Sequence, residues 1–189
     1  MSDTVENKIT LIIEDGTCIT DANSYVSLEY ADTYMLNTGK TDWVDKTDEE
    51  KKAYLINATT YIDRIYGKLG WKGRRKYREQ SLCFPRVELY DNDGFEVKGI
   101  PTVLKKAVCE ASFIGMTSSL FATNDTTGAV KRQKVDVLEV EYFDETETEI
   151  SFVSQYDILD SLLAGLYKTK NSRSMVKKVI HHDLLGDVI

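Results

Sequence analysis

TDEEKKAYLINATTYIDRIYG, residues 47–67, is the stretch on which the fold turns. The Thr47 hydroxyl can accept from the Glu50 backbone amide, and the Glu50 carboxylate can reach back to the Thr47 amide. This is the reciprocal arrangement of a capping box. Asp48 and Glu49 add negative charge where the helix dipole attracts it. Leu55, Ala58, Ile62, Ile65 and Tyr66 then recur at helical spacing, and Gly67 supplies a stop. A long amphipathic helix follows from these signals.

Toward the N-terminus, residues 9–13 form a short apolar run closed by Glu14-Asp15-Gly16, which predicts a strand and a turn. After the cap-like cluster Asp21-Ala22-Asn23-Ser24, a helix is expected over about residues 27–37. Leu28, Ala31, Tyr34 and Met35 share one of its faces, and Gly39 is the stop. Toward the C-terminus, residues 68–78 read as a basic, glycine-containing loop around Trp71, and Phe84-Pro85 requires extended backbone. Asp91-Asn92-Asp93-Gly94 is a turn. Pro101 opens a third helix at its first position, where a missing N–H costs nothing. Leu104, Ala107, Val108, Ala111, Ile114 and Leu120 give this helix its buried face. Ala111, Ser112, Gly115 and Ser118 leave room for close helix approach, and residues 123–128 end it.

Residues 128–143 change period. Leu138, Val140 and Tyr142 alternate with Glu139 and Glu141, the mark of a half-buried strand. Either a hairpin around residues 135–137 or one long bent strand fits. An acidic linker over residues 145–149 leads to a last helix from about Ser154, carrying Ile158, Leu162, Leu163 and Leu166. A basic tail follows Tyr167. The reading is a mainly α fold, a four-helix core with a β-hairpin or extended β-arm. Residues 1–167 form a single domain and residues 168–189 a C-terminal extension.

Composition narrows the function. Apolar residues make up 42% of the 189, enough for a core. A net charge of −7 is a poor match to a general nucleic-acid binder, although a local basic patch can still meet phosphate. Cys18, Cys83 and Cys109 are odd in number and widely spaced, so a disulfide framework is not expected and a reducing compartment is. The polar, acidic first eight residues do not read as a signal peptide, and no run approaches a membrane span. A soluble protein made in a cytoplasm is expected, with no membrane partner.

No catalytic set emerges. His181 and His182 are adjacent, and adjacent side chains diverge, so they make a poor metal pair. A calcium loop starting at Asp91 would need a glutamate at its twelfth position, where Thr102 stands. The glycines between residues 67 and 73 follow a helix and lack phosphate-loop spacing. Serines occur without a nucleophile elbow. The expectation is a non-enzymatic protein with no cofactor and no metal.

Several phrases, taken in order, are recognisable. They are Ile13-Glu14-Asp15-Gly16-Thr17, Ala22-Asn23-Ser24-Tyr25-Val26-Ser27, Ala31-Asp32 with Tyr34, and Ala58-Thr59-Thr60-Tyr61-Ile62-Asp63. Trp71-Lys72-Gly73 with Arg75, Gln80 before Phe84-Pro85-Arg86, Asp91 to Gly94, and Ile100-Pro101 continue the series. Gly128-Ala129-Val130-Lys131-Arg132 through Val140-Glu141-Tyr142 completes it. Over about residues 9–167 the series resembles a family of tailed-bacteriophage proteins, often labelled DnaT-like single-stranded-DNA-binding proteins and similar to head-to-tail connector (adaptor) proteins. The resemblance implies a virion protein of the neck, assembled in the bacterial host cytoplasm. It implies a ring of identical subunits, usually twelve, docked beneath the portal protein and joined distally to a tail or nozzle protein. Genomic DNA would pass through its channel. The family has no catalytic residues to carry over.

Three groups of residues become candidates. Val130, Lys131, Arg132, Lys134, Leu138, Val140 and Tyr142 belong to an arm whose unpaired edge would be satisfied by a neighbouring subunit's strand. The basic residues 131–134 could meet the acidic residues 139–149 of that neighbour, setting register more than affinity. An ordinary intramolecular hairpin is the other reading of the same segment. Lys68, Trp71, Lys72, Arg74, Arg75, Lys76 and Arg78 could touch DNA or the portal, with Trp71 stacking on a base; alternatively Trp71 packs onto the core. Lys177, Lys178, Val179, Ile180, Leu184 and Leu185 suit a tail that orders on docking into a partner's groove. The alternative function is a single-stranded-DNA-binding replication accessory.

Overall fold

A computed structural model describes residues 8–121, 130–134, 139–142 and 156–168, the two inner segments as backbone strands only. Its helices are α1, Leu28–Asn37; α2, Asp48–Leu69; α3, Thr102–Thr117; and α4, Asp157–Leu163. A 3-10 turn, Thr41–Trp43, links α1 to α2. Two short antiparallel pairs complete the fold. β1, Arg74–Arg75, pairs with β2, Arg86–Val87, and β3, Val130–Lys134, pairs with β4, Glu139–Tyr142. The fold is mainly α with a small β part, and β3 and β4 pair as a hairpin rather than forming one bent strand.

The helix ends follow local chemistry. At α2 both halves of the capping box form: the Glu50 amide donates to Thr47 Oγ1, and the Thr47 amide donates to Glu50 Oε2 at 2.9 Å. Ser27 caps α1 by accepting from the Tyr30 amide. Gly67 does not end α2. The helix runs to Leu69, and Gly70, at φ +96°, carries the left-handed turn out of it. Pro101 is the cap before α3 rather than its first residue, because its ψ of 139° is still extended while its carbonyl accepts from Leu104 and Lys105. α3 stops at Thr117, before residues 123–128, as Ser118 turns extended. Leu120 then folds back toward Gly115, where an added Cβ would come within 3.3 Å of it.

The core lies where α2, α3 and α4 meet, with α1 laid against α3. Leu55, Ala58, Ile62 and Tyr66 of α2 face Leu104, Ala107, Val108 and Ala111 of α3 across it, and Ile65 and Ile114 are partly buried at its margin. α4 turns in a different phase from the expected one. Leu159, Leu163 and Leu166 are buried while Ile158 is exposed, because this seven-residue helix begins only after Tyr156.

Residues 9–13 do not form a strand. Asn23 occupies the place a partner strand would take: its Oδ1 accepts from the Ile12 amide and its Nδ2 donates to the Thr10 carbonyl. One parallel bridge, Ile13 to Ser24, is all the ladder that remains there. Among the described residues no helix is long and apolar enough to cross a membrane.

Candidate nucleic-acid and assembly interfaces

The basic segment is a built turn. Gly73, at φ +65°, packs so close to β2 that an added Cβ would lie 2.5 Å from the Val87 carbonyl oxygen. Gln80 is buried at the centre of the turn. Its Oε1 accepts from the Tyr77 amide at 3.0 Å, and its Nε2 donates to the Leu82 and Pro85 carbonyls at 2.8 and 3.1 Å. The Lys76 amide donates to the Pro85 carbonyl, and the Phe84–Pro85 bond is cis. Arg86 is spent inward, donating to the carbonyls of Lys72, Gly73 and Cys83.

Beneath the turn lies a buried polar knot. The Tyr25 hydroxyl donates to the Asp63 carboxylate at 2.7 Å and accepts from the Phe84 amide at 3.1 Å. The Cys83 amide donates to the same carboxylate at 2.8 Å. Burial raises the Asp63 pKa from its ordinary value, although these donors oppose the shift. The knot pins the strand entering β2 onto α2, which sets where the turn stands on the core.

The expected contact residues separate into two groups. Trp71 is only 5% exposed. Its ring packs edge-on to Phe84 at 5.0 Å and beside Tyr66 at 5.7 Å, and its backbone bridges to Tyr167 after α4. The ring faces are covered by the core, so Trp71 is not available to stack on a base. Lys68 is the exposed residue before the last of α2, and Lys72 Nζ donates to Asn92. Arg74, Arg75, Lys76 and Arg78 stand on the exposed turn itself. Arg74 pairs with Glu88 at 3.0 Å, with both side chains more than half exposed. Arg78 lies 3.6 Å from Glu79 and is almost fully in solvent, so that pair holds little.

Tyr77 was not among the expected contacts. It is 59% exposed, and Lys76 Nζ lies 5.8 Å from its ring centroid. The signal was local: Tyr77 has cations on both sides, whereas Trp71 follows Leu69 and Gly70.

In the hairpin, Val130 stands opposite Tyr142 and Gln133 opposite Val140, with a register shift between Val130 and Arg132. Arg132 stands opposite Glu141 and Lys134 opposite Glu139. The basic and acidic positions expected to meet across subunits therefore face one another within one chain, an arrangement that favours the hairpin itself. Lys131 is on β3 without a registered partner, and Leu138 lies outside the described residues. The tail positions Lys177, Lys178, Val179, Ile180, Leu184 and Leu185, and also His181 and His182, lie outside them too.

A family model described as "Putative DnaT-like ssDNA binding protein" matches residues 9–181. The match runs past Tyr167, so the first part of the basic tail belongs to the family region, contrary to the expectation that it lay beyond. No curated protein and no solved structure matches the chain.

Proposed function

We propose that this chain, which belongs to the family described as DnaT-like single-stranded-DNA-binding proteins, is a non-enzymatic structural subunit, the head-to-tail adaptor of a tailed bacteriophage. In this reading identical subunits form a ring beneath the portal, in the neck of the virion. The ring links capsid to tail around the DNA channel, and a distal tail protein binds its far side.

The observation that carries the reading is the hairpin. β3 and β4 pair with each other, and among the described residues no third strand joins them. A lone two-stranded ladder is marginal in water and leaves both outer edges unpaired. A neighbouring subunit's hairpin would satisfy those edges by strand addition. The helical core, by contrast, closes on itself around Leu55, Ile62, Leu104 and Leu163. This is the division of labour a ring subunit needs: a closed body and an open arm.

Removing residues 128–143 tests the division. The shortened chain is expected to keep its helical circular-dichroism signal and its cooperative melt while losing self-association and portal binding in light-scattering mass measurements. Unchanged assembly without the arm would refute the role given to it.

The family description favours a second reading, a single-stranded-DNA-binding accessory, and the exposed basic turn is its physical support. Oligonucleotide titration of the purified protein at two salt concentrations separates the two. Tight, strongly salt-dependent binding by a protein that stays monomeric and ignores the portal is the outcome for the accessory.

A further inference from the structure

We infer that Tyr77 is a base-stacking platform, and that the turn carrying it is a contact for a single-stranded polynucleotide. The tyrosine ring would cover an unpaired base while Arg75, Lys76 and Arg78 meet the flanking phosphates. This rests on the DNA-contacting reading, not on ring formation.

Three observations carry it. The first is exposure against type: in a region whose aromatic neighbours Trp71, Phe84 and Tyr66 are buried, Tyr77 is 59% exposed. The second is a fixed base. The Tyr77 amide is held by buried Gln80, which is itself anchored to Leu82 and Pro85, so little ordering cost remains when a ligand arrives. The third is charge. Arg74, Arg75, Lys76 and Arg78 face two nearby carboxylates, Glu79 and Glu88, on a protein whose net charge is −7. Glu88 engages Arg74. Arg75 donates to the Gln80 carbonyl at 3.5 Å and to Cys83 Sγ at 3.8 Å, and Lys76 to the Gly16 carbonyl at 3.3 Å. Lys76 also lies over the Tyr77 ring and Arg75 interacts with the Asp63 carboxylate beneath the turn, but neither cation forms a direct ion pair among the described residues. Asp15 lies near Lys76.

The ring decides the form of the ligand. Aromatic side chains gain from stacking only where a base shows its face, and a duplex hides its faces. Stacking tolerates any base, so sequence preference is expected to be weak.

The test uses the full chain and fluorescence anisotropy with labelled 15-nucleotide oligo(dT), oligo(U) and a duplex. Wild type is expected to bind both single strands more tightly than the duplex. Tyr77→Ala weakens single-strand binding about tenfold, and Tyr77→Trp restores it. The double variant Arg75→Ala/Arg78→Ala flattens the salt dependence by about 1.4 in logarithmic slope. The melting temperature of Tyr77→Ala stays at the wild-type value, because the ring is exposed. Equal binding of the duplex overturns the stacking role, and so does a Tyr77→Ala variant that binds as wild type does; in the latter case the DNA reading survives. A wild type that binds no oligonucleotide at low salt overturns both. Loss of portal binding in Tyr77→Ala with oligonucleotide binding intact would assign the turn to a protein partner and overturn the proposal.

Discussion

Asp63 is the residue on which the site's placement depends most. Its carboxylate sits against Tyr25 and the Cys83 amide, and burial raises its pKa above the ordinary aspartate value of 3.8. A carboxylate whose folded pKa is raised binds more protons folded than unfolded, so its contribution falls as pH rises. Wild-type stability relative to Asp63→Asn is therefore expected to be greatest below about pH 3.8 and to decline as pH climbs through the raised folded pKa. It should then level off. Chemical denaturation across the acid range measures this, and a difference that grows with pH would contradict it. Cys109 supports a second prediction. It is fully buried in α3, and burial pushes its thiol pKa up to about 12. A thiol reagent at pH 8 should leave Cys109 unmodified in the native protein while partly exposed Cys18, its thiol pKa also raised by burial, reacts slowly; all three cysteines should react in denaturant, as read by mass spectrometry. At this scale sequence reading was weakest. Tyr25, Asp63 and Cys83 are scattered along the chain, and nothing in their spacing announces that they meet. Trp71 misled because a tryptophan beside lysines resembles a stacking platform until Phe84 and Tyr167 are seen to enclose it.

At the scale of elements the sequence was most legible where the determinants are local. The capping box at Thr47 and Glu50 was readable because both partners lie within one turn, and the structure forms both bonds. Thr47→Ala is expected to cost about 1 kcal/mol, measurable as a lowered denaturation midpoint with an unchanged slope. No loss, or a changed slope, would mean that the start of α2 is held by something else. Legibility failed where tertiary context chose between similar signals. Gly67 and Gly70 are both candidate stops, and the chain turns at Gly70, in step with Trp71 reaching the core. The apolar run at residues 9–13 has strand composition, but Asn23 takes its hydrogen bonds. The phase of α4 depended on which leucines α3 receives, a question its own short pattern cannot answer.

At the scale of the whole molecule, a closed helical body carries the exposed basic turn with Tyr77, and a separate segment holds the hairpin, which no third strand joins among the described residues. The change of period at residues 128–143 made the strand pair legible, while its internal charge register became visible only once the two strands were paired. Electron microscopy of the purified protein mixed with the portal protein bears on the ring itself. A closed ring of subunits coaxial with the portal is expected, with density between neighbours where their hairpins meet. A strictly monomeric protein that binds neither portal nor particles would contradict it.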